Sequence, residues 1–365
     1  MIVDSRPNED WQILVENFPV WPDGLCPAES ENLPGLTESA FRYVSPLGIT
    51  ELREAIAARE SKVSGSTAIS PENVAVTAGS MNGIGVILRS CFARGYRQAV
   101  YAAPTFRGVH NSIVSAGLSA TALPLSYTEE DWHLLERAGT VPLVVYVNLP
   151  HNPTGAVATA KYLRMLEEFA ATHDAILLYD AIYDSYSFAE NSCPAPIDLA
   201  VSRQNVIVVN SLSKNYGRPG DRVGWMVAHE QIIDGIAPQI EWETVCVSPR
   251  NQLAAASAMY EGNDALVESV LRGRDAYRER TAGHEVLDVP LPGGGTQLWL
   301  DLRVRDVEAM ADFALNEHHL VLTTSSNYAP AQPGHIRFPT GIPLQRMHDG
   351  IARLERVLAE WSDRR

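Results

Sequence analysis

Short runs of apolar, largely β-branched residues recur through the first two-thirds of the chain and alternate with segments of helical spacing. Most of these runs are continuous, as expected for strands covered on both faces. They are NVAVTA, QAVYAAP, SATALPL, LVVYVNLP, AILLYDAIY, NVIVVNS and RVGWMVA. Between them, residues 159–173 repeat Leu163, Leu166, Phe169 and Ala170 at helical spacing. The pattern predicts an α/β fold with a mostly parallel sheet and helices on both sides.

The alternation of strand and helix patterns ends at about Glu261. A long helical stretch follows, and then come a predicted helix over Val307–His318 and the predicted strands TQLWLDLR, HLVLTT and HIRFP. This part is typical of a smaller α+β unit. We therefore predict three parts: residues 1–45 as an arm that joins part of the small domain, residues 46–260 as the large domain, and residues 261–365 as the small domain.

Composition favours a globular protein that acts on small molecules. The chain has 365 residues, of which 45% are hydrophobic and 20% charged, enough for about two compact units. Its 29 Lys and Arg against 44 Asp and Glu give a net charge of −15, which repels nucleic acid and anionic lipid. We predict neither as a partner.

The sequence also indicates a cytoplasmic protein without a metal site. The cysteines, at positions 26, 91, 193 and 246, form neither a CxxC pair nor a Cys/His cluster, so we expect reduced thiols. No signal-peptide core is visible at the start, and no apolar run approaches the roughly 20 residues of a membrane helix.

The segment SLSKNYGRPGDRVGW carries the sharpest chemical signal. Lys214 follows a predicted strand directly, lies among small residues, and has Arg218 and Arg222 close behind it. A lysine that forms an imine must be partly neutral, and both desolvation and nearby positive charge lower its pKa. A lone lysine in a turn is more often a surface residue, but this setting favours the chemical interpretation.

Polar residues follow two other apolar strands, at the sheet edge where α/β proteins bind ligands. Asp180 ends AILLYD, where a carboxylate could pair with a protonated pyridine nitrogen. Tyr183 and Asn152, the latter in NLPHNPTGA, could donate hydrogen bonds to the phenolic oxygen of such a ring. Taken singly, Asp180 could equally cap a helix, and the Asn152 segment could be only a tight turn.

A phosphate site is indicated where the strand NVAVT leads into a helix through Gly79 and Ser80. The free N–H groups and positive end of a helix attract a dianion. Ser211, Ser213 and Arg222 would add donors from a second loop.

Together and in this order, from about Tyr43 to Arg337, these segments resemble the class I/II aminotransferases of fold type I. The resemblance implies a large domain with a mostly parallel seven-stranded sheet, a smaller α+β domain, and pyridoxal 5′-phosphate held as an imine on Lys214. It implies that Asp180 and Tyr183 act with Lys214 in catalysis. It further implies that the phosphate is bound by backbone and side chains of Gly79, Ser80, Met81, Ser211, Ser213 and Arg222.

The resemblance also assigns residues around the substrate. In APTF, Phe106 would stack on the cofactor ring, and Asn152 would contact both cofactor and substrate. In HIRFP, Arg337 would bind the substrate α-carboxylate. YVSPLGITELREAI is similar to a family segment whose tyrosine reaches the neighbouring subunit's cofactor, which implies a homodimer with Tyr43 in that role.

The implied activity is transamination of an amino acid with a keto acid acceptor. The alternative is elimination or replacement at the β or γ carbon, cyclisation, or oxidation, because NLPHNPTGA and SLSKNYGRPGDRVGW are also similar to capreomycidine synthase. Glu241, Glu243 or Asp23 could then contact a basic substrate. A third possibility, a non-catalytic sensor domain that binds the cofactor, is disfavoured because the chain is acidic and no basic helix precedes the fold.

Overall fold

The computed structural model describes residues 12–14, 19, 43–65, 69–138 and 142–363. Its strands are β1 Gln12–Leu14, β2 Val74–Thr77, β3 Gln98–Ala102, β4 Thr105–Phe106, β5 Ser119–Leu123, β6 Leu143–Asn148, β7 Ile176–Asp180, β8 Val206–Ser211, β9 Gly224–Val227, β10 Gln297–Asp301, β11 Leu320–Thr324, β12 Tyr328–Ala329 and β13 His335–Pro339.

Helices lie between these strands and after them. They are α1 Thr50–Ser64, α2 Ser80–Ala93, α3 Arg107–Ser115, α4 Asp131–Ala138, α5 Ala160–Thr172, α6 Ile197–Ser202, α7 Leu212–Asn215, α8 Glu230–Thr244, α9 Pro249–Glu261, α10 Asp264–Thr281, α11 Val307–His318 and α12 Leu344–Asp363. In the described residues, no helix combines the length and apolar character that crossing a bilayer requires.

One sheet of seven strands, in the order β2-β9-β8-β7-β6-β3-β5, organises the larger part of the molecule. Strand β9 runs antiparallel to both neighbours, and every other pairing in the sheet is parallel. The predicted α/β fold with a mostly parallel seven-stranded sheet is confirmed.

The central strands are covered on both faces, which explains their continuous apolar sequences. Every residue of β6, β7 and β8 is buried. Val145 and Leu177 pack into the core on one face, whereas Val144 and Leu178 pack on the other. Burial on two faces leaves no polar face in these strands.

Helix α5 shows how the predicted amphipathic pattern is used. Thr159 begins the helix, because its hydroxyl accepts a hydrogen bond from the Tyr162 N–H at 3.2 Å. Leu166 and Phe169 are buried as expected, but Leu163 is only half-buried while Tyr162 and Met165 are buried. The helix therefore lies on the sheet with its buried face rotated slightly from the predicted one.

A second sheet, in the order β1-β11-β13-β10, forms the core of the smaller part. Strand β1 pairs in parallel with β11, so residues 12–14 lie beside strands from the end of the chain. Helix α11 and strand β13 have the bounds expected from sequence. The division at residues 45 and 260 stays a prediction.

Candidate active site

A cavity of about 190 Å³ lies at the carboxyl edge of the large sheet. Parallel pairing brings the ends of β6 and β7 together there, with Asn148 opposite Asp180. The residues that line the cavity are Ser80, Met81, Phe106, Val109, Tyr146, Asn148, Asn152, Asp180, Ile182, Tyr183, Ser213, Lys214 and Arg222. Most of the predicted cofactor-binding residues are therefore brought together.

Asp180 is a buried carboxylate that accepts two hydrogen bonds. Its Oδ2 accepts a bond of 2.7 Å from the Tyr146 hydroxyl, and its Oδ1 accepts one of 3.1 Å from the Ile182 N–H. Burial raises the pKa of Asp180 to about 6, while the Tyr146 bond and the positive charge of Lys214 act in the opposite direction. The group is thus mostly ionised at neutral pH and suited to pairing with a cation.

Lys214 lies in the short helix α7, directly after β8. Burial lowers the pKa of its amine to about 7, and the positive charges of Arg337 and Arg222 act in the same direction. Asp180 opposes this effect. At neutral pH a substantial fraction of Lys214 is therefore the neutral amine that attack on a carbonyl requires.

The main-chain groups predicted to bind phosphate lie at the start of α2. Gly79 caps this helix with a φ of +88°, and a Cβ added there would lie 2.5 Å from Nη2 of Arg222. Arg222 is anchored by donating hydrogen bonds to the carbonyls of Pro219 and Ala78, at 3.0 and 3.2 Å. The arrangement places free helix N–H groups beside a guanidinium, a suitable pair for a dianion.

Ser211 lies outside the cavity lining and supports Ser213 instead. The Ser211 hydroxyl accepts a 3.0 Å hydrogen bond from the Ser213 N–H and thereby caps α7. Ser213 itself faces the cavity. Any contact of Ser211 with a phosphate stays a prediction.

Tyr183 and Asn152 both line the cavity and are almost completely buried. Burial raises the pKa of Tyr183, although the charge of Arg337 opposes this, so the phenol remains protonated and able to donate. The Asn152 N–H donates to Oδ1 of Asn148 at 2.9 Å. Asn148 in turn donates to the Asp180 carbonyl at 3.0 Å, which fixes the loop after β6 against β7.

Arg337 is buried in β13, with only 4% of its surface exposed. An arginine buried to this extent is not a surface residue that merely pairs with an exposed partner. Its Nη1 donates a 3.1 Å hydrogen bond to the hydroxyl of Tyr328, which donates at 3.1 Å to Oδ1 of Asn152. Arg337 is therefore connected to the cavity through another side chain.

Tyr43 is 83% exposed and is not among the residues that line the cavity of its own chain. The acids considered for a basic substrate are not in the lining either: Glu243 accepts a 2.6 Å hydrogen bond from Nε of Arg89, and Glu241 is exposed. Asp23 lies outside the described residues. None of these four assignments gains geometric support within a single chain.

Tyr146, Asn148 and Tyr328 are site residues that the sequence reasoning missed. A tyrosine within an apolar strand is usually interpreted as a core residue, and Tyr146 is indeed only 3% exposed. The Tyr146 hydroxyl could have indicated the site. A buried polar group needs a hydrogen-bond partner, and a strand covered on both faces has few polar neighbours.

Comparison with known proteins shows the family to which the chain belongs. The family model for aminotransferase class I and II matches residues 23–354. A 3-methylarginine biosynthesis aminotransferase of Streptomyces arginensis is 35% identical, covering 93% of this chain and 90% of the relative. An L-aspartate:5-guanidino-3-methyl-2-oxopentanoate transaminase of Pseudomonas syringae pv. syringae is 34% identical, covering 98% and 92%.

Among solved structures, the aspartate aminotransferase of Thermotoga maritima has the same fold, with a TM-score of 0.82, 23% identity, and coverage of 96% of this chain and 92% of that one. The family model covers most of this chain, and Lys214, Asp180 and Tyr183, the residues predicted to be catalytic, line one cavity. The protein belongs to the aminotransferase class I and II family and is an aminotransferase that uses pyridoxal phosphate.

Proposed function

We propose that this aminotransferase transfers the amino group between an amino acid donor, with aspartate as the first candidate, and a 2-oxo acid that carries a guanidino side chain. The reaction type rests on a near-neutral Lys214 and an ionised Asp180 in one cavity. The substrate class rests on the names of two relatives that are 34–35% identical over more than nine-tenths of this chain.

The residues present fit the cofactor. A helix start beside Arg222 suits its phosphate, Asp180 suits a protonated ring nitrogen, and Lys214 suits its aldehyde. When bound, pyridoxal phosphate supplies an electron-withdrawing ring that stabilises negative charge at the substrate's α carbon.

Each side chain then has a defined task. Lys214 would take the proton from the substrate's α carbon and deliver it to the cofactor's aldehyde carbon, because an amine with a pKa of about 7 can act as both base and acid at neutral pH. Asp180 stabilises positive charge on the ring nitrogen. Asn152 and Tyr183 donate hydrogen bonds to the ring oxygen, and Arg337 holds the substrate α-carboxylate with its planar fork.

A homodimer completes the proposal. Tyr43 is 83% exposed, so its hydroxyl is accessible to a second copy of the chain. We assign it to the phosphate of the partner's site. The cytoplasm is the proposed location, supported by the free thiols of Cys91, Cys193 and Cys246, which suit a reducing compartment.

Elimination, replacement and cyclisation are not favoured, because both relatives are named for amino transfer. The test is to supply amino acids with and without a 2-oxo acid acceptor. Repeated turnover by transamination requires both, and more than one equivalent of product per enzyme without an acceptor would overturn it.

Substrate class is tested separately by comparing 5-guanidino-2-oxopentanoate with 2-oxohexanoate, each with L-aspartate as donor. The guanidino compound should have the larger kcat/KM by at least about tenfold, the equivalent of one charge-assisted hydrogen bond. Equal values would contradict the guanidino assignment and leave the transamination intact.

The cofactor attachment is tested by borohydride reduction of the holoenzyme followed by peptide mass spectrometry. The reduced adduct should be on Lys214, and on no lysine in Lys214→Ala. An adduct at a different lysine in the native enzyme would refute the proposed site.

A further inference from the structure

Tyr328 lies between the two parts of the molecule and is held rigidly. Its strand, β12, pairs antiparallel with β4, and Tyr328 is directly opposite Phe106. Nη2 of Arg107 donates a 2.8 Å hydrogen bond to the Tyr328 carbonyl. The ring is fully buried and meets Trp299 edge-on, with 4.8 Å between ring centroids. Backbone and ring are therefore both fixed.

The Tyr328 hydroxyl bridges two side chains to which the proposed function gives different partners, the substrate carboxylate and the cofactor ring oxygen. It accepts a hydrogen bond from Nη1 of Arg337 and donates one to Oδ1 of Asn152, both at 3.1 Å. Arg337 is the proposed carboxylate ligand, and Asn152 is a proposed donor to the cofactor ring oxygen. No substrate atom is needed to make this connection.

The direction of these bonds follows from the chemistry of the three groups. A guanidinium can only donate, so the hydroxyl must use a lone pair toward Arg337 and keeps its single hydrogen for another acceptor. Burial raises the pKa of Tyr328, although Arg337 opposes this effect, so that hydrogen is retained. The carboxamide oxygen of Asn152 must then face Tyr328, and its Nδ2 group is the donor left for the cavity.

We propose that Tyr328 is a positioning residue whose hydroxyl fixes the Asn152 amide and the Arg337 guanidinium relative to each other. The Arg337 guanidinium and the Asn152 amide are thereby already oriented to donate hydrogen bonds to the substrate carboxylate and the cofactor ring oxygen. This inference rests on the proposed roles of Asn152 and Arg337 but assigns a function to a residue outside them.

The test compares Tyr328→Phe with Tyr277→Phe in the holoenzyme. Tyr277 is equally buried and donates a 2.8 Å hydrogen bond to the Leu287 carbonyl in the small-domain core, so it controls for the loss of one buried hydroxyl bond. The first readout is the pH midpoint of the visible absorbance change of the bound cofactor. The second is the separation of KM from kcat with L-aspartate as donor.

Tyr328→Phe should raise the pH midpoint of the absorbance change by about 0.5 to 1 unit. A misplaced Asn152 amide would stabilise the negative ring oxygen less, so the proton on the nitrogen that joins Lys214 to the cofactor would be held more tightly. KM should rise about three- to tenfold, since Arg337 loses its fixed orientation. Tyr277→Phe should change thermal stability and neither of these readouts. If both variants shift the midpoint equally, or neither does, the proposal is overturned.

A double-mutant cycle provides the second measurement. In an Asn152→Ala background, Tyr328→Phe should add little further shift to the midpoint, because its effect acts through that amide. Fully additive shifts would refute the coupling. Failure of the proposed function itself is distinguishable, because it would appear in the unmodified enzyme as the absence of a borohydride adduct on Lys214.

Discussion

The hydroxyl of Tyr146 donates a 2.7 Å hydrogen bond to the Asp180 carboxylate from the neighbouring strand. Both groups are almost completely buried. The bond stabilises the ionised carboxylate, whose pKa burial raises to about 6. The protein therefore holds a negative charge where an apolar environment disfavours it, as expected if the charge serves a bound cation.

Removing this charge should stabilise the apo-protein while destroying function. Carboxyl groups of unfolded aspartates titrate near pH 4, and Asp180 titrates near 6 in the folded state. Because its pKa is raised on folding, ionisation opposes folding above about pH 6, by at most about 3 kcal/mol, and has no effect below about pH 4.

Asp180→Asn should accordingly increase the free energy of unfolding of the apo-protein at pH 7 by about 1 to 2 kcal/mol, after allowing for weakened hydrogen bonds. The gain should disappear at pH 4. Chemical denaturation at both pH values measures it, and kcat should fall at least about 100-fold. A variant that is equally destabilised at both pH values would contradict this account.

Lys214 of the apo-enzyme should react with aldehydes at unusually low pH. Its pKa is lowered to about 7, chiefly by burial, so labelling by formaldehyde and cyanoborohydride should rise with a midpoint near pH 7. Peptide mass spectrometry across pH 5 to 10 follows it. Lys161, whose side chain is 73% exposed, is the comparison in the same digest. A labelling midpoint for Lys214 that is no lower than that for Lys161 would be inconsistent with the lowered pKa.

Gly79→Ala should weaken cofactor binding at least about tenfold. Alanine is strained at a φ of +88°, and its Cβ would displace the Arg222 guanidinium. Gly65→Ala is the matched control, because Gly65 also has a positive φ of +73° but has nothing within 4 Å of the added atom. Equilibrium dialysis of pyridoxal phosphate distinguishes the two. Equal losses would indicate general strain rather than a phosphate site.

Arg337→Lys should raise KM for carboxylate substrates by about 10- to 100-fold, because an ammonium cannot reproduce the bidentate fork. The proposed role predicts a selective effect. We expect a slow half-reaction with agmatine, an amine that lacks an α-carboxylate, and its rate should change less than about twofold. Comparable losses with L-arginine and agmatine would argue that Arg337 supports the structure rather than binding carboxylate.

Sequence alone determined the residues that end the central strands. Continuous apolar runs define β6, β7 and β8; the polar residue Asp180 ends β7, and Lys214 follows the end of β8. Parallel strands end at one edge of a sheet, so local sequence was sufficient to predict that these groups meet. The order of motifs was likewise sufficient to indicate the family.

Tertiary structure decided the contacts that depend on strand register and on pairing between segments far apart in the chain. Tyr146 reaches Asp180 across 34 residues, and Tyr328 reaches Asn152 across 176. No local pattern marks either tyrosine, because a buried aromatic ring satisfies the hydrophobic core whether or not its hydroxyl has a functional partner. The sequence therefore specified which groups could carry the chemistry, and only the folded chain established which neighbours tune their pKa values and fix their orientation.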